Sequence, residues 1–115
     1  MERRTAILIT AGKKTIDGHG SLRNLVKTWN ELHGTWWYRL GTAPKKPEDI
    51  LEVYWTIGGR VRYKSRLLEV QHGWVEFETG EHWAKNWLVL FDFQPLPRHE
   101  QRHIKGFQGF RYYTP

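Results

Sequence analysis

The sequence predicts a mainly β domain of the α+β class, a small antiparallel pseudobarrel of about six strands with one or two short helices. Three observations lead there. Short runs rich in β-branched and aromatic residues recur along the chain, punctuated by glycine and proline. Only residues 21–32 carry a helical period. The 115 residues suffice for one core and not two, so the strands belong to a single domain, 1–115.

Residues 5–10 form the first expected strand. Its apolar run, Ala6-Ile7-Leu8-Ile9, is far too short for a signal peptide or a membrane span, so a cytoplasmic protein is expected. A loop rich in glycine and lysine follows. Ser21 then caps a helix whose apolar face is Leu22, Leu25, Val26, Trp29 and Leu32, and Gly34 ends it. Residues 35–40 read as the second strand. Alternation puts Trp36, Tyr38 and Leu40 on one face and Thr35, Trp37 and Arg39 on the other. Pro44 and Pro47 make residues 42–49 a connector.

Residues 50–56 and 60–70 make a hairpin. A two-residue turn at Gly58-Gly59 would set Arg62 opposite Trp55, mixing charge with core. A three-residue loop, Ile57-Gly58-Gly59, sets Arg62 opposite Tyr54, Lys64 opposite Glu52, Val61 opposite Trp55 and Tyr63 opposite Val53. The second register is expected, because a slip of one residue sends the apolar set to solvent. It leaves Arg60, Arg62, Lys64 and Arg66 in a row on the outer face. Gln71-His72-Gly73 reads as the turn of a second hairpin into residues 74–78, with Arg66 opposite Glu78. Residues 79–85 read as a loop carrying His82 and Trp83. Residues 87–93 are apolar on both faces, the pattern of a central strand, and Pro95 and Pro97 stop it. Residues 98–105 read as a loop and 106–113 as a last strand. Gly106 and Gly109 there would let the backbone pass close to a strand or a ligand.

The formal net charge of +6 favours polyanionic partners. No cysteine is present, so there is no disulfide and no thiolate metal site. His99 and His103 stand four apart, but without helical periodicity or further ligands they do not make a zinc site. No metal or cofactor is expected. No nucleophile triad or phosphate-binding loop is present, and no catalytic residue is assigned. Lys13 or Lys14 with Asp17 is either an acid/base pair or a solvated surface pair. Seven tryptophans exceed what so small a core needs. Most are expected in the core, with two or three lining a slot for a flat ligand.

Three segments carry a resemblance. They are the strand Trp36-Trp37-Tyr38-Arg39, the hairpin Ile57-Gly58-Gly59-Arg60-Val61-Arg62, and the tail Lys105-Gly106-Phe107-Gln108-Gly109-Phe110-Arg111-Tyr112. Together they resemble the PUA-like superfamily, nearest its EVE and ASCH branches, over residues 35–113. The resemblance implies a pseudobarrel with a helix on its side. It also implies recognition of RNA or DNA, in EVE and YTH domains often through a modified base in an aromatic pocket. The ASCH pattern Gly-x-Lys-x-x-Glu-x-Arg begins at Gly12-Lys13-Lys14, but its glutamate and arginine do not follow.

The expected partner is therefore RNA or DNA, possibly with a modified base. Rings stack on bases while cations hold phosphates. The candidate walls are Trp36, Trp37, Trp55 and Trp83; Trp36 and Trp37 face opposite ways, so one of the two reaches a pocket. Arg39, Arg60, Arg62, Lys64, Lys105 and Arg111 are the candidate phosphate contacts, although Arg39 and Arg111 are equally placed to stack on the domain's own rings. Ser21, Asn30, Thr35 and Asp92 are candidates to read base edges. Two alternatives stand beside this one. One is a small nucleoside-processing hydrolase using the loop of Lys13 and Asp17. The other is a phage-type interaction or inhibitor module whose basic face occupies a nucleic-acid site.

Overall fold

The aromatic and β-branched runs become strands, and the connections between them give the sheet its shape. The computed structural model describes residues 4–11 and 35–115. The expected helix at 21–32, the Lys13, Lys14 and Asp17 loop, and the candidates Ser21 and Asn30 lie outside the described residues. The strands are β1 (Ala6–Thr10), β2 (Thr35–Leu40), β3 (Glu52–Ile57), β4 (Arg60–Phe77), β5 (Gly80–Pro95) and β6 (Arg111–Tyr112). They form one sheet in the order β2-β5-β4-β3-β1-β6. Short 3-10 turns occupy Pro47–Asp49 and Arg98–Glu100.

The protein is mainly β, as expected, but the sheet is mixed. β1 runs parallel to β3, with Ile7 beside Val53 and Ile9 beside Trp55, whereas the other pairings are antiparallel. The sheet is also open, with β2 and β6 at its margins. It curls strongly without closing. Tyr38 on β2 packs its ring 5.5 Å from Trp55 on β3, and its hydroxyl donates to the Thr10 carbonyl of β1 at 2.9 Å. A side chain therefore spans the concave face where a closed barrel would have a ladder.

Both faces of the sheet carry core. On one, Ile7, Ile9, Val53, Trp55, Leu88, Leu90 and Phe93 are buried, with Trp36, Tyr38, Tyr63 and Leu67 packed against them. On the other, Ala6, Leu8, Tyr54, Val61 and Leu96 are buried beneath Ile104, Phe107 and Tyr113 of the C-terminal segment. That segment is laid along β1 and the start of β4. Val61 N donates to the Arg102 carbonyl, Ile104 N to the Gly59 carbonyl and Tyr113 N to the Ala6 carbonyl. Only residues 111 and 112 of the expected last strand are ladder-paired. The close approach at Gly106 is to a strand: a Cβ there would sit 3.4 Å from the Thr10 side chain, and Phe107 N donates to Thr10 Oγ1.

The first hairpin departs from the expected register in an instructive way. The turn is the two-residue one. Gly58 and Gly59 have φ of 59° and 77°, and Ile57 pairs with Arg60. Thr56 pairs with Val61, and then Trp55 pairs with Tyr63, so Arg62 is bulged out. The bulge, rather than a longer loop, separates charge from core. It also splits the expected row of cations. Val61 turns into the second core beside Tyr54, while Tyr63 packs on the first. Lys64 then lies opposite Tyr54, and Arg66 opposite Glu52.

No hairpin turns at residues 71–73. β4 continues to Phe77, reverses through Glu78 and Thr79, and returns as β5 from Gly80. Residues 80–85 are thus strand, not loop. Gly73, with φ of 88°, belongs to a bulge between Gln71 and Gly73 that bends this long arm. The bend is large. Phe77 lies six residues beyond Gln71, about 20 Å along a flat strand. Yet its ring sits 5.4 Å from that of Trp87, the partner of Gln71. The arm therefore folds back over β2 and β5. The Trp87 indole N–H donates to the Gly73 carbonyl at 2.9 Å, and His72 Nδ1 donates to the Lys85 carbonyl at 2.9 Å.

Candidate nucleic-acid interface

The expected aromatic walls separate into three kinds. Trp55 is sealed, at 1 % exposure, and its indole N–H is taken by Ser65 Oγ. It is core and cannot stack on a ligand. Trp36 packs half-buried on the same core. Trp37, on the opposite face as alternation requires, meets Phe77 and Trp87 edge-on at 5.9 and 6.3 Å, and so anchors the bent arm. Trp83 alone of the four stands open, at 52 %. It lies opposite Trp74, which is 68 % exposed and which the sequence reading passed over.

The cations also divide. The Arg39 guanidinium lies over the Trp87 ring at 5.1 Å and that of Arg111 over Phe107 at 4.4 Å. Both stack on the protein's own aromatics, one of the two expected roles. Arg62 and Lys105 are exposed. Arg60 is half-buried and bridges to His103 through the backbone. Thr35 is half-buried at the margin of the sheet, opposite Phe91, whose other partner is Arg66, and it lines neither cleft described below.

Lys64 is where groups converge. It ion-pairs with Glu52 at 3.5 Å and borders two clefts. The shallower, about 140 Å³, is lined by Glu52, Ser65, Arg66, Asp92 and Gln94. Asp92 comes here because β5 bulges opposite Ser65, which sets its φ to 55°. Gln94 Nε2 donates to its carboxylate at 3.2 Å. Thus two of the expected site residues, Lys64 and Asp92, do meet.

The larger cleft, about 270 Å³, opens between β3, β4 and the C-terminal segment. Tyr54, Leu96, His99, Glu100, Arg102 and Tyr113 line it with Lys64. Tyr54 and Tyr113 hold their rings 4.7 Å apart. Arg102 lies over Tyr113 at 5.4 Å and donates to the Thr114 carbonyl at 2.7 Å. Burial first, and then the Glu52 carboxylate and Tyr113, push the Tyr54 hydroxyl up to about 12. It remains a neutral donor, directed at Glu52 Oε1 at 3.5 Å. Sequence reasoning missed this aromatic pair. Its members are 59 positions apart and only the C-terminal segment's return joins them; the one available signal was the tyrosine pair closing the tail.

Among the described residues, no group of three or more His, Cys, Asp or Glu side chains is placed to hold a metal ion. Among them, too, no helix is long and apolar enough to cross a membrane. Comparison of the chain with protein-family models, with curated proteins and with solved structures returns no match.

Proposed function

We propose that the protein binds single-stranded RNA or DNA in the cleft between β4 and the C-terminal segment, with one base held against Tyr113. The observation that carries the proposal is the tyrosine pair set among Lys64, His99 and Arg102. Tyr113, half-buried and backed by Tyr54, offers a ring for stacking, worth about 1–3 kcal/mol per base, once the exposed Arg102 side chain turns from it to phosphate. Lys64 and Arg102 supply positive charge for the flanking phosphates. Glu100 is an acceptor for the amino edge of a base, plain or modified. The volume lies just under the range of about 300–1,000 Å³ for small-molecule sites, which suits one base rather than a dinucleotide.

The surrounding charge supports this reading. The C-terminal segment brings Arg98, Arg102 and Lys105 to the end of the sheet that holds Arg60, Arg62 and Lys64. The same reading takes the curled sheet as a PUA-like pseudobarrel left open on one side, in a protein working in the cytoplasm. Fluorescence anisotropy with a labelled oligouridylate tests it. The expected result is binding that weakens with added salt, with log affinity falling by about 0.7 per phosphate contact against log salt. Affinity indifferent to salt, or undiminished by Tyr113→Ala, overturns it.

A further inference from the structure

The bent arm has an inner face packed on the sheet and an outer face open to solvent. Phe77 on the inner face packs against Trp37, His82 and Trp87. Alternation sends Trp74, Glu76, Glu81 and Trp83 to the outer face. There Trp74 lies directly opposite Trp83, and Glu76 directly opposite Glu81. Both indoles are more than half exposed, and both carboxylates face solvent. A cross-strand aromatic pair adds at most about 1 kcal/mol, and the glutamate pairing works against the fold. Open indoles forgo burial, and like charges directly opposite one another destabilise a ladder.

The charge here also runs against the rest of the chain. Between Trp74 and Ala84 stand three glutamates, at 76, 78 and 81, and no lysine or arginine, in a chain of net charge +6. With only the exposed Lys85 beyond them at the base of the arm, these carboxylates disfavour phosphate on this face. A second copy docked arm to arm would bring two sets of carboxylates together. We propose that the outer face of the arm docks an arginine-rich, extended segment of a partner protein. Guanidinium groups stack on tryptophan, the most favourable ring for a cation, and form paired hydrogen bonds with carboxylates. The tryptophan and glutamate rungs lie two residues apart, about 7 Å, the spacing of alternate side chains on an extended chain. The anchoring of Phe77, and the indole hydrogen bond from Trp87 to Gly73, present the face ready-made.

The test uses the full chain and a fluorescein-labelled nona-arginine peptide, with nona-lysine and labelled oligouridylate alongside. The expected result is saturable binding of nona-arginine, tighter than nona-lysine because an ammonium does not stack in a plane. Trp74→Ala with Trp83→Ala weakens it by about tenfold or more, as does Glu76→Gln with Glu81→Gln. Oligouridylate affinity stays within about twofold of the parent in both, which separates this site from the cleft. All four side chains are exposed, and the glutamine pair also relieves a repulsion, so its melting temperature is expected to be no lower than the parent's. Nona-arginine binding unchanged in both variants overturns the proposal. So does loss of oligouridylate binding in the tryptophan variant, or a concentration-dependent dimer that the tryptophan variant abolishes.

Discussion

Trp55 donates its indole N–H to Ser65 Oγ at 3.0 Å, and that hydroxyl donates onward to the Val53 carbonyl at 3.2 Å. Both side chains are 1 % exposed. The relay ties β3 to β4 inside the first core and fixes the indole's orientation. Trp55→Ala is expected to cost about 3–5 kcal/mol, as for other buried large-to-small changes. Ser65→Ala removes the hydroxyl that accepts from the indole N–H, at about 1–3 kcal/mol. Chemical denaturation measures both, and neither should alter oligouridylate affinity while the protein is folded.

The cleft makes its own demand. Tyr113→Ala is expected to weaken oligouridylate binding by about 1–3 kcal/mol, the value of one lost stack. Lys64→Ala should cost less, and should lower the salt slope by about 0.7 if it holds one phosphate. Anisotropy titrations at several salt concentrations separate the two effects.

Glu52 competes with phosphate for Lys64, which it holds at 3.5 Å. Glu52→Gln removes that competitor and one negative charge from the shallower cleft on the other side of Lys64. It is expected to tighten oligouridylate binding, with little change in stability because the pair is partly exposed. Weaker binding would mean that Glu52 contacts the base itself.

Alkaline pH should destabilise the protein through two tyrosines. Burial raises Tyr38, opposed in part by its bond to the Thr10 carbonyl, and raises Tyr54 to about 12 from an ordinary 10.0. Each folded value lies above the unfolded one. The stabilising contribution is therefore complete below pH 10 and is lost as pH rises toward 12. Tyr54→Phe should flatten the fall of Tm over that window, and Glu52→Gln should move the Tyr54 titration downward. Melting curves from pH 8 upward and absorbance titration of the phenolates measure these effects.

The arm depends on Gly73. Its φ of 88° suits glycine, and no neighbour crowds the site, so the cost of Gly73→Ala is backbone strain alone. About 1–2 kcal/mol is expected. Because Phe77 reaches Trp37 only through the bend, amide exchange should quicken most at residues 74–84.

What the sequence revealed was what local pattern can encode. β2 has the expected bounds, and the double-sided apolar run of Leu88 to Leu90 does lie inside the sheet. The misreadings share a cause. Gly73 signals positive φ, but a turn and a bulge both need it, and only the facing strand decides. The Gly58-Gly59 register failed for the same reason, since the rejected two-residue turn was rescued by bulging Arg62. Trp55 and Trp74 are the same residue type in similar strand surroundings, and their opposite fates depend on what covers them. The cleft was hidden because Tyr54 and Tyr113 meet only in three dimensions.

The placement of β1 has a kinetic consequence. Ile7 takes Val53 on one side and Tyr112 on the other, so the first strand must wait for partners far along the chain. Doubling a loop adds only about 0.6 kcal/mol of closure entropy, so the longer of these two searches is barely costlier than the shorter. Neither can begin from a local nucleus, however, and a domain built on such distant partners is expected to refold in milliseconds to seconds rather than microseconds. The arm, whose strands are neighbours in sequence, should be ordered well before the tyrosines of the cleft first meet.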